Sequence, residues 1–432
     1  MKFATSACIL ATLSSSAIAS NWEASLRNGL ENHRMLKAKS SKAPKATKAT
    51  KATKEPKLSK GPKESKGPKA SKAPKAPKSG SNALLEIELD VFGEVHPAKM
   101  DIGPDQRIYF TGGTDSRAYR VDIEGNAEMF AEITTGAGFT LGCQFDGKGN
   151  YYMVNGAGVY MVSADKLSDE TQPLPIEPEN IFPWTTSPAI PMSIDVDNNT
   201  DCAYVSDMGK GEIWRIDINT REGKVWASSA DGTGAYDLLY GEPDSTNFLG
   251  VPFGVVEVMV DANSEWLYFS AHERNFFGRI RILPNGDAGE LQVLGKVENR
   301  AALNGAFLDV IGNKLYGATP FLDFQNGVAR DPNAVRGGEI WMIDIDDVAD
   351  DGTGGTPERI LSDLDYGTLT DVITGHNFGN PSDLYLLDGS FDTLVWPTGV
   401  LPDPDAPYHG AVRVLKGGGG GKSPKAGRRR RN

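Results

Sequence analysis

A six-bladed β-propeller, all-β and flanked by disordered basic arms, is what this 432-residue sequence predicts. Three observations carry the expectation. Helical periodicity is nearly absent between residues 84 and 416, where apolar runs of strand length alternate with Gly, Asn and Asp turns. The runs recur as six similar units spaced by roughly 45–60 residues. Each unit reads as four strands: an apolar one, a strand after a D/N/G turn, a strand such as EIWRIDI, and a more variable fourth.

In chain order, MKFATSACILATLSSSAIAS comes first. A lysine, a short apolar run and Ala17-Ile18-Ala19 read as a secretory signal peptide over 1–19, cut after Ala19. The run is too short to span a bilayer, and no later apolar run of about 18 residues occurs. The expectation is a secreted, extracellular protein without a membrane span, with the cell wall as a destination. Residues 20–36 read as a short pro-segment, and 37–82 as a lysine-rich disordered arm.

Within that arm the lysines keep a period of three: Lys39, Lys42, Lys45, Lys48, Lys51, Lys54, Lys57, Lys60, Lys63, Lys66, Lys69, Lys72, Lys75 and Lys78. A helix turning every ~3.6 residues would smear them around its surface, and the prolines would break it. Polyproline II has about three residues per turn and places all of them along one edge, roughly 9 Å apart. Two readings follow: a solvated spacer, or a polycation that lies along a polyanion. Strict spacing favours the second, because a spacer does not need a lysine at every third position.

Charge divides the same way. Residues 1–83 carry a net +14, residues 417–432 a net +6, and residues 84–416 a net −32. An acidic body between basic arms is a poor grip for nucleic acid, and export removes that partner from reach. The expected partner is an anionic polymer or silica surface, and the propeller is expected to be monomeric.

The domain is expected over 83–416. Its units begin "KMDIGPDQRIYF" at Lys99, "GCQFDGKGNYYMV" at Gly142, "MSIDVDNNTDCAYV" at Met192, "GVVEVMVDANSEWLYF" at Gly254, "GAFLDVIGNKLYG" at Gly305 and "DLYLLDGSFDTLVW" at Asp383. Long insertions near 167–190 and 321–336 should emerge as surface loops. The sixth unit lacks a fourth strand, while a spare alternating run, LLEIELDVFG, stands at Leu84–Gly93. It is expected to complete the last blade and join the two ends of the domain. The tail, 417–432, begins with five glycines and reads as a disordered basic linker.

The repeats, through "DANSEWLYFSAHERNFFGRIRI" and "YVSDMGKGEIWRIDI", resemble the SMP-30/gluconolactonase and strictosidine-synthase-like group of propellers. The lysine arm resembles silaffins, secreted lysine-rich proteins of biosilica, and Arg34-Met35-Leu36 resembles their R-x-L processing signal. Ala, Thr and Pro replace many of the serines of that group. The propeller resemblance implies a divalent metal such as Ca²⁺ in the central channel, held by Glu, Asn and Asp at the starts of innermost strands. Where those ligands should stand, this chain has His96-Pro97-Ala98, Leu141, Met192-Ser193 and Pro252-Phe253-Gly254. Only Asn304-Gly305 keeps an amide. No cofactor is therefore expected, with Asn304 the weak metal candidate.

Catalytic candidates are weak as well. His272 and Glu273 follow an inner strand, where a base and a carboxylate could meet substrate, but they read first as polar residues of an exposed turn. His376, with Asn377, precedes the last repeat near the channel mouth. Asp207, Asp217 and Asp344 follow the turn pattern, and Trp214, Trp266 and Trp341 recur at strand positions as core. Asn198-Asn199-Thr200 is a glycosylation sequon in a surface turn spanning Asp195 to Asp201, with Asn198 as acceptor. Cys143 and Cys202 are either two buried thiols or one disulfide. Two functions stand: a secreted scaffold or matrix protein whose arm binds biosilica or acidic polysaccharide, or a secreted lactonase-like hydrolase or lyase with a rearranged channel site.

Overall fold

A computed structural model describes residues 84–88, most of 97–389, and 411–415. Residues 1–83, 89–96, 242–252, 298–304, 330–337, 376–382, 390–410 and 416–432, with shorter gaps, lie outside that description. The signal peptide with Ala19, the lysine arm, His376 and Asn304 fall there.

The described strands form small antiparallel sheets in a β-propeller arrangement. After β1 (Leu84–Glu88), the first full sheet is β2 (Met100–Ile102), β3 (Ile108–Thr111), β4 (Arg117–Val121) and β5 (Ala127–Glu132). The second is β6 (Thr140–Phe145), β7 (Tyr151–Asn155), β8 (Gly158–Val162) and β9 (Glu179–Pro183). The third holds β10 (Pro191–Asp197), β11 (Cys202–Asp207), β12 (Glu212–Asp217) and β13 (Glu222–Ser228). The fourth holds β14 (Val255–Val260), β15 (Trp266–Ala271), β16 (Phe276–Ile282) and β17 (Ala288–Lys296).

In the fifth sheet, β18 (Gly305–Asp309) and β19 (Lys314–Thr319) are followed by a small hairpin, β20 (Phe324–Gln325) and β21 (Val328–Ala329). The sheet is then completed by β22 (Gly338–Asp344) and β23 (Glu358–Leu364). Five sheets are thus each spun from one stretch of chain. The sixth sequence unit does not make a sheet alone, as its missing fourth strand implied. It supplies β25 (Leu384–Asp388) and β26 (Ala411–Leu415), which pair in one sheet with β24 (Leu369–Thr374), a strand that precedes the unit, and with β1. The pairing runs from Leu84 opposite Leu415 to Glu88 opposite Ala411.

Turn chemistry fixes the repeat. In FDGKGN the Asp146 carboxylate accepts from the Lys148 and Asn150 N–H groups, and Gly149 takes φ +84°. In DANSEW, Asp261 accepts from the Glu265 and Trp266 N–H groups in the same way. Asp217 caps Asn219 and Thr220, Asp344 caps Asp346, and Asp207 accepts from Ile190 N–H, so all three fix turns or strand ends. Apolar faces meet between sheets. Tyr109, Phe130, Phe145 and Tyr151 join the first to the second, and Tyr204, Trp226, Phe269 and Phe276 the third to the fourth. Phe110, Tyr119, Tyr385 and Val412 join the last sheet back to the first.

Two expectations need correction. The stretch 167–190 is not all loop: it holds the end of a short helix, α1 (Ala164–Ser168), and the whole outer strand β9. The sequon turn is narrower than 195–201, because Asp195 and Asp197 still belong to β10. Asn198 is exposed in the turn and its Oδ1 accepts from Gly147 N–H of the neighbouring sheet. Both Cys143 and Cys202 are buried free thiols. Trp214 packs edge-on against Trp184 in the core as expected. Trp266 and Trp341 are only partly buried and pack under Arg279 and Arg359.

Candidate functional site

The innermost strands β2, β6, β10, β14, β18 and β24 are neighbours around the ring. Lys99, just before β2, donates from Nζ across the axis to Glu257 Oε2 on β14. The same ammonium lies 3.4 Å from the Thr370 carbonyl on β24. Ser193 of β10 donates its hydroxyl proton to the other Glu257 oxygen. Lys99 is 3% exposed, Glu257 7% and Ser193 1%.

Burial opposes the Lys99 charge, but the Glu257 and Asp371 carboxylates outweigh it and hold the ammonium above its ordinary pKa. Burial pushes Glu257 upward, against the pull of Lys99 and Ser193. With its proton committed to Glu257, Ser193 is held as a structural donor rather than poised as a nucleophile.

Three inner-strand aspartates at matching places in K-M-D-I, S-I-D-V and L-T-D-V tie adjacent sheets. Asp101 of β2 accepts from Ile102 N–H and, at 2.7 Å, from Phe145 N–H of β6. Asp195 of β10 accepts from Val196 N–H and from Val260 N–H of β14. Asp371 of β24 accepts from Val372 N–H and, at 3.0 Å, from Met100 N–H of β2, across the junction that closes the ring. Burial pushes the Asp101 and Asp195 carboxyls up to about 7 against those bonds, and raises Asp371 likewise.

These raised values set a pH dependence. A carboxyl that binds its proton more tightly when folded stabilises the fold while protonated, and that contribution is lost as pH rises from about 4 toward 7. Asp101→Asn/Asp195→Asn removes both titrations. Its melting temperature, relative to the native chain, is expected to climb across that window and level off above it. A difference independent of pH in parallel melts would refute the assignment.

Of the catalytic candidates, His272 and Glu273 lie among the described residues and His376 does not. His272 and Glu273 lie in the β15–β16 turn, where their N–H groups donate to the Gly254 and Phe253 carbonyls. The His272 ring stands edge-on to Phe253 at 5.4 Å. Neither belongs to the Lys99–Glu257 cluster. Among the described residues at the expected metal-ligand places, Ser193 alone has a side chain bonded to Glu257; Lys99 and Glu257 lie beyond the positions that the resemblance pointed to. A charge inside the apolar run GVVEVMV was the available sign of Glu257.

The metal that the resemblance implies does not fit here. Calcium needs about six to eight oxygen ligands. Both Glu257 oxygens are already taken, by an ammonium and a hydroxyl, and the ammonium would repel a second cation. Among the described residues no three His, Cys, Asp or Glu side chains converge on a metal position.

No protein-family model and no curated protein matches the chain. Solved structures do resemble it at low identity. One is a luciferin-regenerating enzyme, 11% identical, with 78% of this chain and 96% of that one covered at a TM-score of 0.49. A gluconolactonase from Xanthomonas campestris is 10% identical over 77% of this chain and 88% of its own, with a TM-score of 0.47. A streptogramin B lyase is 13% identical over 77% and 97%, with a TM-score of 0.44. No described helix is long and apolar enough to cross a membrane.

Proposed function

We propose that this chain is an exported binding protein in which the propeller is a scaffold and the arm at 37–82 grips an anionic surface, biosilica or an acidic polysaccharide. The observation that carries the reading is the run of fourteen lysines at a strict period of three. The Lys99–Glu257 pair supports it, because both oxygens of the one carboxylate in this cluster are bonded to Lys99 and Ser193 rather than open to a metal. We also propose a ring of six blades, counting the sheet shared by the two chain ends. Four-stranded pairing in that composite sheet and its apolar contact with β2–β5 support the count.

Single lysine contacts with silica or sulfated polymer are weak and screened over ~8 Å at physiological salt. Fourteen on one chain act as a multivalent array. The mature chain, a chain lacking 39–78, and a chain with that segment scrambled separate the possibilities on silica and on a sulfated polysaccharide. Retention is expected to depend on the segment and to fall with salt, with the native order holding to higher salt than the scrambled one. Equal retention without the segment sinks the reading. Lactone hydrolysis that Ser193→Ala or Lys99→Met abolishes would favour a hydrolase with a rearranged channel instead.

A further inference from the structure

An arginine recurs on the third strand of three sheets, each opposite a tyrosine. Arg120 faces Tyr109, Arg215 faces Tyr204 and Arg279 faces Tyr268. In two of them the fourth strand supplies an acceptor. Arg120 Nε donates to Glu128 at 2.7 Å, and Arg279 Nε donates to Gln292 at 2.9 Å. In the third sheet the same register position holds Lys224. Lys224 turns to Asp287 of the next sheet, at 2.9 Å, and the buried Arg215 Nε is left with no hydrogen-bond partner. A buried donor without an acceptor is costly and rare.

Beside Arg215 lies a cavity of about 370 Å³ between the third and fourth sheets. Arg281 of β16 lines it too, together with Tyr204, Asn285 and the Gly286 backbone. Among the described residues neither Arg215 nor Arg281 forms a salt bridge, in a body rich in acids; Arg215 meets the Tyr204 hydroxyl and feels the Asp217 and Asp287 carboxylates only at longer range. Glu265 on the cavity wall pairs with neither.

We propose that this inter-sheet cavity binds an oxyanion, a phosphate or carboxylate carried by a small molecule or a polymer end, with Arg215 and Arg281 as its ligands. The anion supplies to Arg215 the acceptor that Glu128 and Gln292 supply to its counterparts. Planar guanidinium forks suit such oxygens, and charge-assisted bonds are the strong ones. The site is separate from the channel and from the lysine arm, so it stands or falls independently of the binding reading above.

Because the arm also attracts anions, the readout must sit at the cavity. Trp226 Nε1 donates to the Gly286 carbonyl at 2.9 Å, so the Trp226 indole resonance, assigned with Trp226→Phe, reports on the wall. The mature chain is titrated with inorganic phosphate and, separately, with succinate, which distinguishes the two anion chemistries. A saturable shift is expected from one of them. Lys224→Glu rebuilds the missing acceptor inside the protein and is expected to weaken binding at least about tenfold while leaving the melt intact, since the Lys224–Asp287 pair is exposed. Arg281→Gln should weaken it similarly and serves if Lys224→Glu does not fold. No saturable shift up to about 10 mM, ten times a Kd of about 1 mM, overturns the proposal. So does a titration that both variants leave unchanged.

Discussion

A chain beginning at residue 95 is expected to aggregate and to melt at least about 5 °C below a chain that keeps residues 84–88. β26 sits between β25 and β1, and its residues Ala411 to Leu415 pair with both. Removing β1 strips five residues of pairing, at about 1 kcal/mol for each net hydrogen bond lost. In a large domain each kcal/mol moves the melting temperature by up to ~2–4 °C. The larger consequence is an open edge on the sheet that closes the ring, a template for other chains. Light scattering during a thermal melt reads both effects. A soluble truncated chain with an unchanged melt would show that β1 is dispensable.

Lys99→Met is the substitution with the largest expected cost, about 3–5 kcal/mol in denaturant unfolding at neutral pH. The methionine fills similar volume, so the loss is electrostatic. Glu257 is left buried with only neutral donors, the Ser193 hydroxyl and the Ala306 N–H, to answer it, and Asp371 loses the positive charge of Lys99. Part of the lost stability should return as pH falls, because the uncompensated Glu257 then takes a proton. A variant as stable as the native chain would mean that water already shares the site.

The ring and its closure were legible because they rest on local patterns. Alternation marked LLEIE as a strand, a missing fourth strand marked its place, and Asp146 and Asp261 turns repeated in plain view. The outer strand β9 was not legible. ENIFP is short, polar at its start and ends in proline, so it read as part of a loop. The centre was illegible for a different reason. Lys99 and Glu257 lie 158 residues apart, and nothing local tells a lysine before an apolar strand that it will cross the axis. The ligand places that the resemblance implies, Pro97 and Gly254, fall a few residues short of each. The Arg215 vacancy needs strand register: only when Lys224 is set opposite Arg215, where Glu128 and Gln292 stand elsewhere, does the missing acceptor show.

An internal ion pair, Lys99 with Glu257, ties β14 to the segment before β2 at the centre of the fold. Denaturant unfolding of Lys99→Met, Glu257→Gln and the double variant tests it most directly. The double variant is expected to recover much of what Lys99→Met loses, with a coupling of about 2 kcal/mol or more between the two positions. Losses that simply add, within about 0.5 kcal/mol, would contradict it.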